Sequence, residues 1–405
     1  MTPRISACAV SLIAALLLYP GRAPAQAFDL FPADQLARIQ QGLQDIYGMD
    51  YGRAEQNFQL MIREAPSDPA GYAYLAMTYW VQELSRTQEL SIDRFAASSF
   101  FVSDPRNAAK IDTAAGRRFR ELSQQAVDLA TERLARDPGD RTARFVRGLA
   151  YQNLASFEVS RQGWWGAARQ GKRSLGDSKE LLKKNPNLAD AKLAVGVCDY
   201  AAGSVPWTFR WVAVLMGLPG NRDRGRKEME EAASKAVLVA DDARVVLILI
   251  YALEKNYRRA GELLLSLHTK YPQNYLAHLD MGGMALLNKE PDKAIAIYQE
   301  ILRKRDAREP KYADIERALL YSKLGVAYRK KGDLEGAGAW FRKALQEAQA
   351  SSRALVIARL ELAKTLDLQG QRGQALEFYR QVAAAEDIAG SRSEAERLLR
   401  KPYRE

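Results

Sequence analysis

From Ala318 the chain reads ALLYSKLGVAYRKKGDLEGAGAWFRKALQEA, and its small and apolar residues fall at helical spacing. Counting Ala318 as position 1, Tyr321, Leu324, Gly325 and Tyr328 stand at 4, 7, 8 and 11. Ala337, Phe341 and Ala344 stand at 20, 24 and 27. The pattern predicts two antiparallel helices. Small residues at 8 and 20 let the two approach, and larger residues at 4, 7, 11 and 24 fill the space between them. The same frame recurs along the chain. A unit from Gln35 places Gly42, Ala54 and Phe58, and one from Pro69 places Tyr72, Leu75, Ala76 and Tyr79. Units from Arg141 and Ala189 place Gly148 with Tyr151, and Val195 with Gly196. Units from Asp241, Tyr275 and Val356 place Leu247 with Leu264, Gly282 with Tyr298, and Ala363 with Tyr379. Pro66, Pro138, Pro186 and Pro272 each stand three residues before a new first helix. Proline cannot continue a helix, so each marks a turn between units.

At every position named, the Ala318 unit resembles the tetratricopeptide repeat, a helix pair of about 34 residues. The resemblance implies an all-α solenoid, here of about eight helix pairs in one domain spanning residues 28–405. Two steps between unit starts, 35 to 69 and 241 to 275, equal the repeat length. The longer steps predict three helical inserts, at about 84–118, 157–172 and 201–226.

In such repeats, positions 5 and 9 of each first helix face the concave groove. Here they are mostly apolar: Ala73 and Met77, Phe145 and Leu149, Leu193 and Val197, Val245 and Leu249, Leu279 and Gly283, Ser322 and Val326, Leu360 and Lys364. The Lys, Asn and Arg set by which some repeats of this kind clamp a peptide carboxylate is missing. A continuous apolar groove open to water would be an unusually large patch, so something is expected to fill it. Phe145 and Leu249 are the groove residues expected to bind.

The third insert contains GSVPWTFRWVAVLMGLPGNRDRG. Pro206 suits a helix start and Gly217, Pro219 and Gly220 an end. A helix from Trp207 to Leu218 would be about 18 Å long, too short for a hydrocarbon core of about 30 Å. Trp207, Trp211, Leu215 and Leu218 make one apolar stripe, and Phe209, Val212 and Met216 a second; Thr208 and Arg210 are polar. Such a helix is buried in something. Three readings stand open: a structural plug, a partner-docking element using Trp207, Arg210, Trp211 and Val212, and a shallow interfacial contact helped by Arg222, Arg224, Arg226 and Lys227. In the second insert, a helix would gather Trp165, Arg169 and Arg173 on one face and Trp164, Ala168 and Lys172 on another. Aromatic and basic residues together suit an anion or a headgroup, and Trp164, Trp165, Arg169 and Lys172 are the candidate binding residues there; the alternative is core tryptophans with snorkelling neighbours.

The N-terminal residues address compartment. Arg4, an apolar stretch from Ala7 to Tyr19, the break at Pro20-Gly21 and the small residues Ala23 to Ala27 form the layout of a secretory signal peptide, residues 1–27, with cleavage after Ala25 or Ala27. The expected location is the periplasm or the outer membrane. Of 60 basic residues the leader removes Arg4 and Arg22, leaving 58 against 49 acidic and a net charge of +9. Export argues against nucleic acid, and the basic pairs are scattered rather than gathered. The mature chain keeps one cysteine, Cys198, expected to pack as a small apolar residue, so stability rests on a core and not on disulfides.

Catalysis finds no motif. His268 and His278 lack a ligand partner at helical spacing, and no nucleophile elbow, phosphate loop or HExxH run occurs. No metal or cofactor is expected. The run from Cys198 through GNRDRG to Tyr257 is similar to a segment of the eukaryotic inclusion-body clearance proteins, the tetratricopeptide repeat protein 39 family. That resemblance implies an interaction role near membranes or lipid stores, with no catalytic residues; the leader here departs from it. The expected function is a non-catalytic scaffold for protein partners in the cell envelope. The alternative is a carrier of lipid or apolar ligand, or a protein bound to an anionic membrane surface.

Overall fold

The computed structural model describes residues 30–86, 114–161, 163–205, 220–388 and 390–405. The readings made on residues 1–27, and on Trp207, Arg210, Trp211 and Val212, lie outside them. Every helix described belongs to an antiparallel series. The first four pairs are α1 (Ala33–Tyr47) with α2 (Tyr51–Glu64), α3 (Pro69–Arg86) with α4 (Ala114–Arg136), α5 (Arg141–Ser160) with α6 (Trp164–Lys184), and α7 (Lys192–Ser204) with α8 (Arg222–Lys235). The next four are α9 (Ala240–Leu253) with α10 (Tyr257–Lys270), α11 (Tyr275–Leu287) with α12 (Pro291–Asp306), α13 (Arg317–Lys331) with α14 (Leu334–Gln346), and α15 (Ser352–Leu368) with α16 (Arg372–Ala384). A last helix, α17 (Ser391–Arg400), packs on α15 and α16. Each helix contacts its neighbours in sequence, and α1, α3 and α5, like α13, α15 and α17, also touch in series. This is an all-α solenoid.

The turns between pairs follow from the prolines. Asp68 N–H donates to the Ala65 carbonyl at 2.9 Å, Asp140 to Asp137 at 3.1 Å, Leu188 to Asn185 at 3.1 Å and Asn274 to Tyr271 at 2.9 Å. Pro66, Pro138, Pro186 and Pro272 therefore sit second in four equivalent turns, where a fixed φ costs nothing. Asp140 and Asn274 then cap the helix that follows, accepting from Ala143 and Ala277.

The turns within pairs follow a second rule. In pairs one, five, six, seven and eight a left-handed residue ends the first helix: Met49, Lys255, Lys289, Gly332 and Gly370. The next amide reaches back to a carbonyl five residues earlier, as from Asn256 to Tyr251 at 2.7 Å and from Glu290 to Ala285 at 2.8 Å. This is the glycine-type helix stop, and lysine holds it twice at a steric cost. Replacing Lys289, at φ 61°, by glycine is expected to raise stability by about 0.5–1 kcal/mol. A urea midpoint unchanged or lowered would contradict that.

Among the described residues, pairs three and four depart from this stop, and extra sequence enters in pairs two, three and four. The expected insert at 157–172 proves to be added helix. Phe157 to Ser160 finish α5 and Trp164 to Lys172 open α6, so the extra residues lengthen both members of the pair. Because turns within pairs all fall on one edge of an antiparallel solenoid, the three additions share that edge.

Between paired helices, the small residue at position 8 receives the aromatic at position 24. A Cβ added to Gly42 would lie 2.1 Å from the Phe58 ring, one at Gly282 2.3 Å from Tyr298, and one at Gly325 2.6 Å from Phe341. In α7 and α8 the contact is backbone on backbone. A Cβ on Gly196 would meet the Gly225 carbonyl at 2.8 Å, and one on Gly225 would meet the Gly196 carbonyl at 2.6 Å. Gly225 of the GNRDRG stretch is thus explained by helix crossing.

The groove that was expected to be filled is covered by the chain's own N-terminal residues. Ala73, Met77, Phe145, Leu149, Leu193, Leu279 and Leu360 are buried, while Val245 and Leu249 are half-buried. Phe31 packs edge-on against Phe145 with ring centroids 6.1 Å apart, and the Thr142 hydroxyl donates to the Leu30 carbonyl. Tyr47, at the end of α1, stacks on Tyr271 at 5.5 Å, and its carbonyl accepts from the Asn274 side chain at 2.8 Å. The first pair thereby reaches the fifth and sixth, and one apolar core runs from Leu30 to Met284.

Candidate binding surface

Among the described residues, the large apolar side chains left exposed are Leu60, Trp164, Trp165 and Leu265. Trp164 and Trp165 are 36% and 74% exposed. They stand on the first turn of α6, on the edge where the within-pair turns lie. Glycine sets the chain's path there. Gly163 and Gly166 pass under the Glu158 side chain, where an added Cβ would meet its carboxylate oxygen at 2.2 and 2.8 Å. Below the turn, Trp80, Phe119 and Phe157 form a closed aromatic cluster with centroids 5.3–5.4 Å apart. The guanidinium groups of Arg120 and Arg161 cover Phe157 at 5.3 and 5.6 Å. This packed cluster includes Phe157, in the last turn of α5, close in sequence to the two exposed rings.

Basic residues continue the face. Arg169, Lys172 and Arg173 are exposed on α6, and Trp165, Arg169 and Arg173 recur every four residues on one side. The Arg173 guanidinium lies 5.4 Å from the Tyr151 ring centre. α7 runs antiparallel beside α6, with the Cys198 sulfur 3.5 Å from the Gly171 carbonyl. Seven residues back from Gly171 is Trp164, and seven beyond Cys198 is Val205. The tryptophans are therefore level with the point where residues 206–219 leave the described chain. Gly220, at φ 62°, brings the chain back against Gly203, whose nitrogen an added Cβ would meet at 2.2 Å.

The arginines beyond that neck are already engaged. Arg222 donates to Tyr200 and Glu254, both at 3.2 Å, and Arg226 to Glu254 at 3.1 Å and Asp223 at 2.8 Å. Arg224 pairs with Asp199 at 2.5 Å. As a basic rim for an anionic membrane these three are largely neutralised, which removes the support they lent that reading. Phe145 and Leu249 lie away from this edge, in the covered groove. Of the sequence-predicted residues that are described, Trp164, Trp165, Arg169 and Lys172 form one surface, and Phe145 and Leu249 do not join it.

Burial pushes the Cys198 thiol up to about 12, so it is a packing residue rather than a nucleophile. His268 and His278 stack at 4.2 Å, and His278 Nδ1 meets the Tyr312 hydroxyl at 3.0 Å. Burial, with His268 and Lys304 close by, lowers His278 to about 3, which keeps it neutral. No group of three or more potential metal ligands occurs among the described residues. No described helix is long and apolar enough to cross a membrane.

Sequence reasoning missed a buried carboxylate cluster that fastens α1 to the fifth pair. Asp190 accepts from the backbone N–H groups of Val237, Leu238 and Val239 at 2.7–3.2 Å. Asp241 accepts from Lys270 at 2.7 Å and the Tyr271 hydroxyl at 2.6 Å. Asp242 accepts from the Tyr47 hydroxyl. Burial pushes the Asp242 carboxyl up to about 7 against the pull of the Tyr47 hydrogen bond, and Asp241 and Asp190 add repulsion. A carboxyl raised on folding binds its proton more tightly in the folded state. Its contribution to stability is therefore fullest in acid and is lost as pH rises towards 7. Asp242→Asn is expected to raise the denaturation midpoint at pH 8 and leave it nearly unchanged at pH 4. An equal effect at both values would show that the carboxyl is ionised throughout.

Residues 318–350 match the tetratricopeptide repeat family. Among solved structures, the chain is similar to yeast Tom70 at 13% identity, covering 93% of this chain and 83% of that one, with a TM-score of 0.38. It is also similar to a tetratricopeptide repeat protein from Parabacteroides merdae at 15% identity, covering 80% and 98%, with a TM-score of 0.30. The Cut9–Hcn1 hetero-tetramer of the APC/C matches at 15% identity over 93% and 92%, with a TM-score of 0.21. No curated protein sequence matches the chain.

Proposed function

We propose that the protein is a non-catalytic scaffold of the cell envelope that docks a protein partner on the edge carrying Trp164 and Trp165. One observation carries the reading. Among the large apolar side chains described as exposed, Trp165 is the most exposed, at 74%, with Arg169 one turn further along the same helix. Tryptophan and arginine are the residues most often decisive in protein interfaces, because each offers a large contact area with a polar handle. A repeat array with one match to an interaction family supports the class. The leader-like residues 1–27 support export.

The lipid-carrier alternative draws on the apolar groove, and the groove's occupation by Phe31 and α1 leaves it little to work with. Trp165→Ser is expected to abolish co-purification of the partner from intact cells while leaving the melting temperature unchanged. Removing one such anchor typically weakens an interface by about 2 kcal/mol or more, roughly thirtyfold. Unchanged recovery of the same partner would remove the edge from the account.

A further inference from the structure

The inner face between α13 and α15 is built for an anion and holds part of this chain. Arg329 is 4% exposed and Lys364 8% exposed, unusual burial for cations. Glu361 serves both, taking a hydrogen bond from Arg329 at 2.5 Å and one from Lys364 at 2.8 Å. Glu394 adds a contact to Lys364 at 2.9 Å. With Lys330 at the rim and Arg372 paired to Asp367 at 2.9 Å, four cations face three carboxylates.

Residues 401–405 cross this notch. The Tyr403 ring centre lies 5.6 Å from both the Arg329 guanidinium and the Lys364 ammonium. Its backbone N–H donates to Asp367 at 2.8 Å, and Glu405 reaches Lys330 at 2.7 Å. Arg329 Nε, buried, has no hydrogen-bond partner and lies 3.8 Å from the Glu405 carboxylate.

These are the contacts of a bound peptide. An aromatic ring is held by cations, a carboxylate follows two residues on, and one main-chain hydrogen bond fixes the direction. We propose that residues 401–405 are a removable strap, and that an extended peptide with an aromatic residue two places before a carboxylate replaces them. The occupant is a protein segment, because the notch reads a backbone N–H, through Asp367, as well as charge.

The strap is suited to leaving. Lys330 is 45% exposed, so its pair with Glu405 is screened and weak. The strap starts after α17, whose last turn Arg372 holds by the carbonyls of Leu398 and Leu399 at 2.7 and 3.0 Å, so helix packing survives its release. Inhibition by the strap is a matter of effective concentration, since a tethered segment competes with any free peptide of similar strength.

The test uses a fluorescent synthetic peptide of residues 401–405, titrated into the full chain and into a chain ending at Arg400. The shortened chain is expected to bind at least about tenfold more tightly than the full chain, from loss of the tethered competitor. Lys330→Glu in the shortened chain should weaken the peptide's binding measurably, by reversing the charge that faces its carboxylate. Equal binding by both chains, or none by a shortened chain of unchanged helicity, would overturn the proposal. If the shortened chain does not fold, the full chain carrying Tyr403→Ala and Glu405→Ala decides by the same comparison. Trp165→Ser is expected to leave this titration unchanged, which separates the notch from the edge.

Discussion

Gly325→Leu is expected to destabilise the seventh helix pair by more than 3 kcal/mol, enough to open that end of the solenoid before the rest. The reason is local and steric. A Cβ at this position would lie 2.6–2.8 Å from three atoms of the Phe341 ring, itself fully buried. Well-packed cores lose about 1–3 kcal/mol when one or two carbons are forced in, and here the ring cannot retreat. Gly42 and Gly282 face Phe58 and Tyr298 in the same way, so their leucine variants should behave alike. The check is compensation. Gly325→Ala combined with Phe341→Leu should be more stable than the two single effects predict, because the smaller side chain vacates the space the new methyl needs. Hydrogen exchange should place the damage in α13 and α14 first, since each pair of a solenoid leans only on its neighbours. Strict additivity would mean the glycine is there for some reason other than the ring.

Glu361→Gln should cost about 3–5 kcal/mol, the usual penalty for leaving buried charge without its partner. Two cations depend on this carboxylate, and the backbone carbonyl of Glu361 takes a further bond from Arg329 at 3.1 Å. Burial by itself pushes the Glu361 carboxyl up; Lys364 and Arg329 overcome it and hold it below the ordinary glutamate range. Its stabilising effect is therefore present above that range and disappears as pH falls through it. The wild-type chain should lose this increment in acid, and the Gln variant should show a shallower loss over the same interval. Lys364→Met on the Gln background should recover part of the stability by removing one stranded charge. No recovery would mean that Arg329 alone carries the penalty. Asp242 titrates in the opposite sense, so the two groups together favour a stability maximum in mildly acidic solution.

Much of this architecture could be read before any coordinates. Helix pairing follows from the alternation of Gly325 with Phe341 and of Gly282 with Tyr298, a local pattern repeated at fixed spacing. Pro66, Pro138, Pro186 and Pro272 announce their turns because proline limits the backbone whatever surrounds it. Cys198 reads correctly as packing. The lengthening of α5 and α6 was harder: spacing shows that residues are added between Arg141 and Ala189, but a longer helix and an inserted one have the same period. What could not be read are contacts across the superhelix. Tyr47 and Asp242 stand 195 residues apart, and nothing in either neighbourhood names the other. Residues 401–405 carry no helical period, so their seat against Arg329 and Lys364 depends wholly on tertiary geometry. The candidate edge was half legible. The pairing of Trp164 and Trp165 with Arg169 and Lys172 follows from helical spacing, while their exposure does not, because aromatic stripes usually mark core. Arg222, Arg224 and Arg226 looked like a basic rim until Glu254, Asp199 and Asp223 were seen to engage them.

The central claim is that a scaffold with a self-filled concave face meets its partner on the Trp164–Trp165 edge. Photo-crosslinking in intact cells tests it most directly, with the probe at Trp165 and comparison probes at Leu249 in the groove and at exposed Lys331. The account predicts a discrete protein adduct from position 165 and none from the other two. An adduct from position 249 with none from 165, or lipid alone at 165, would contradict it.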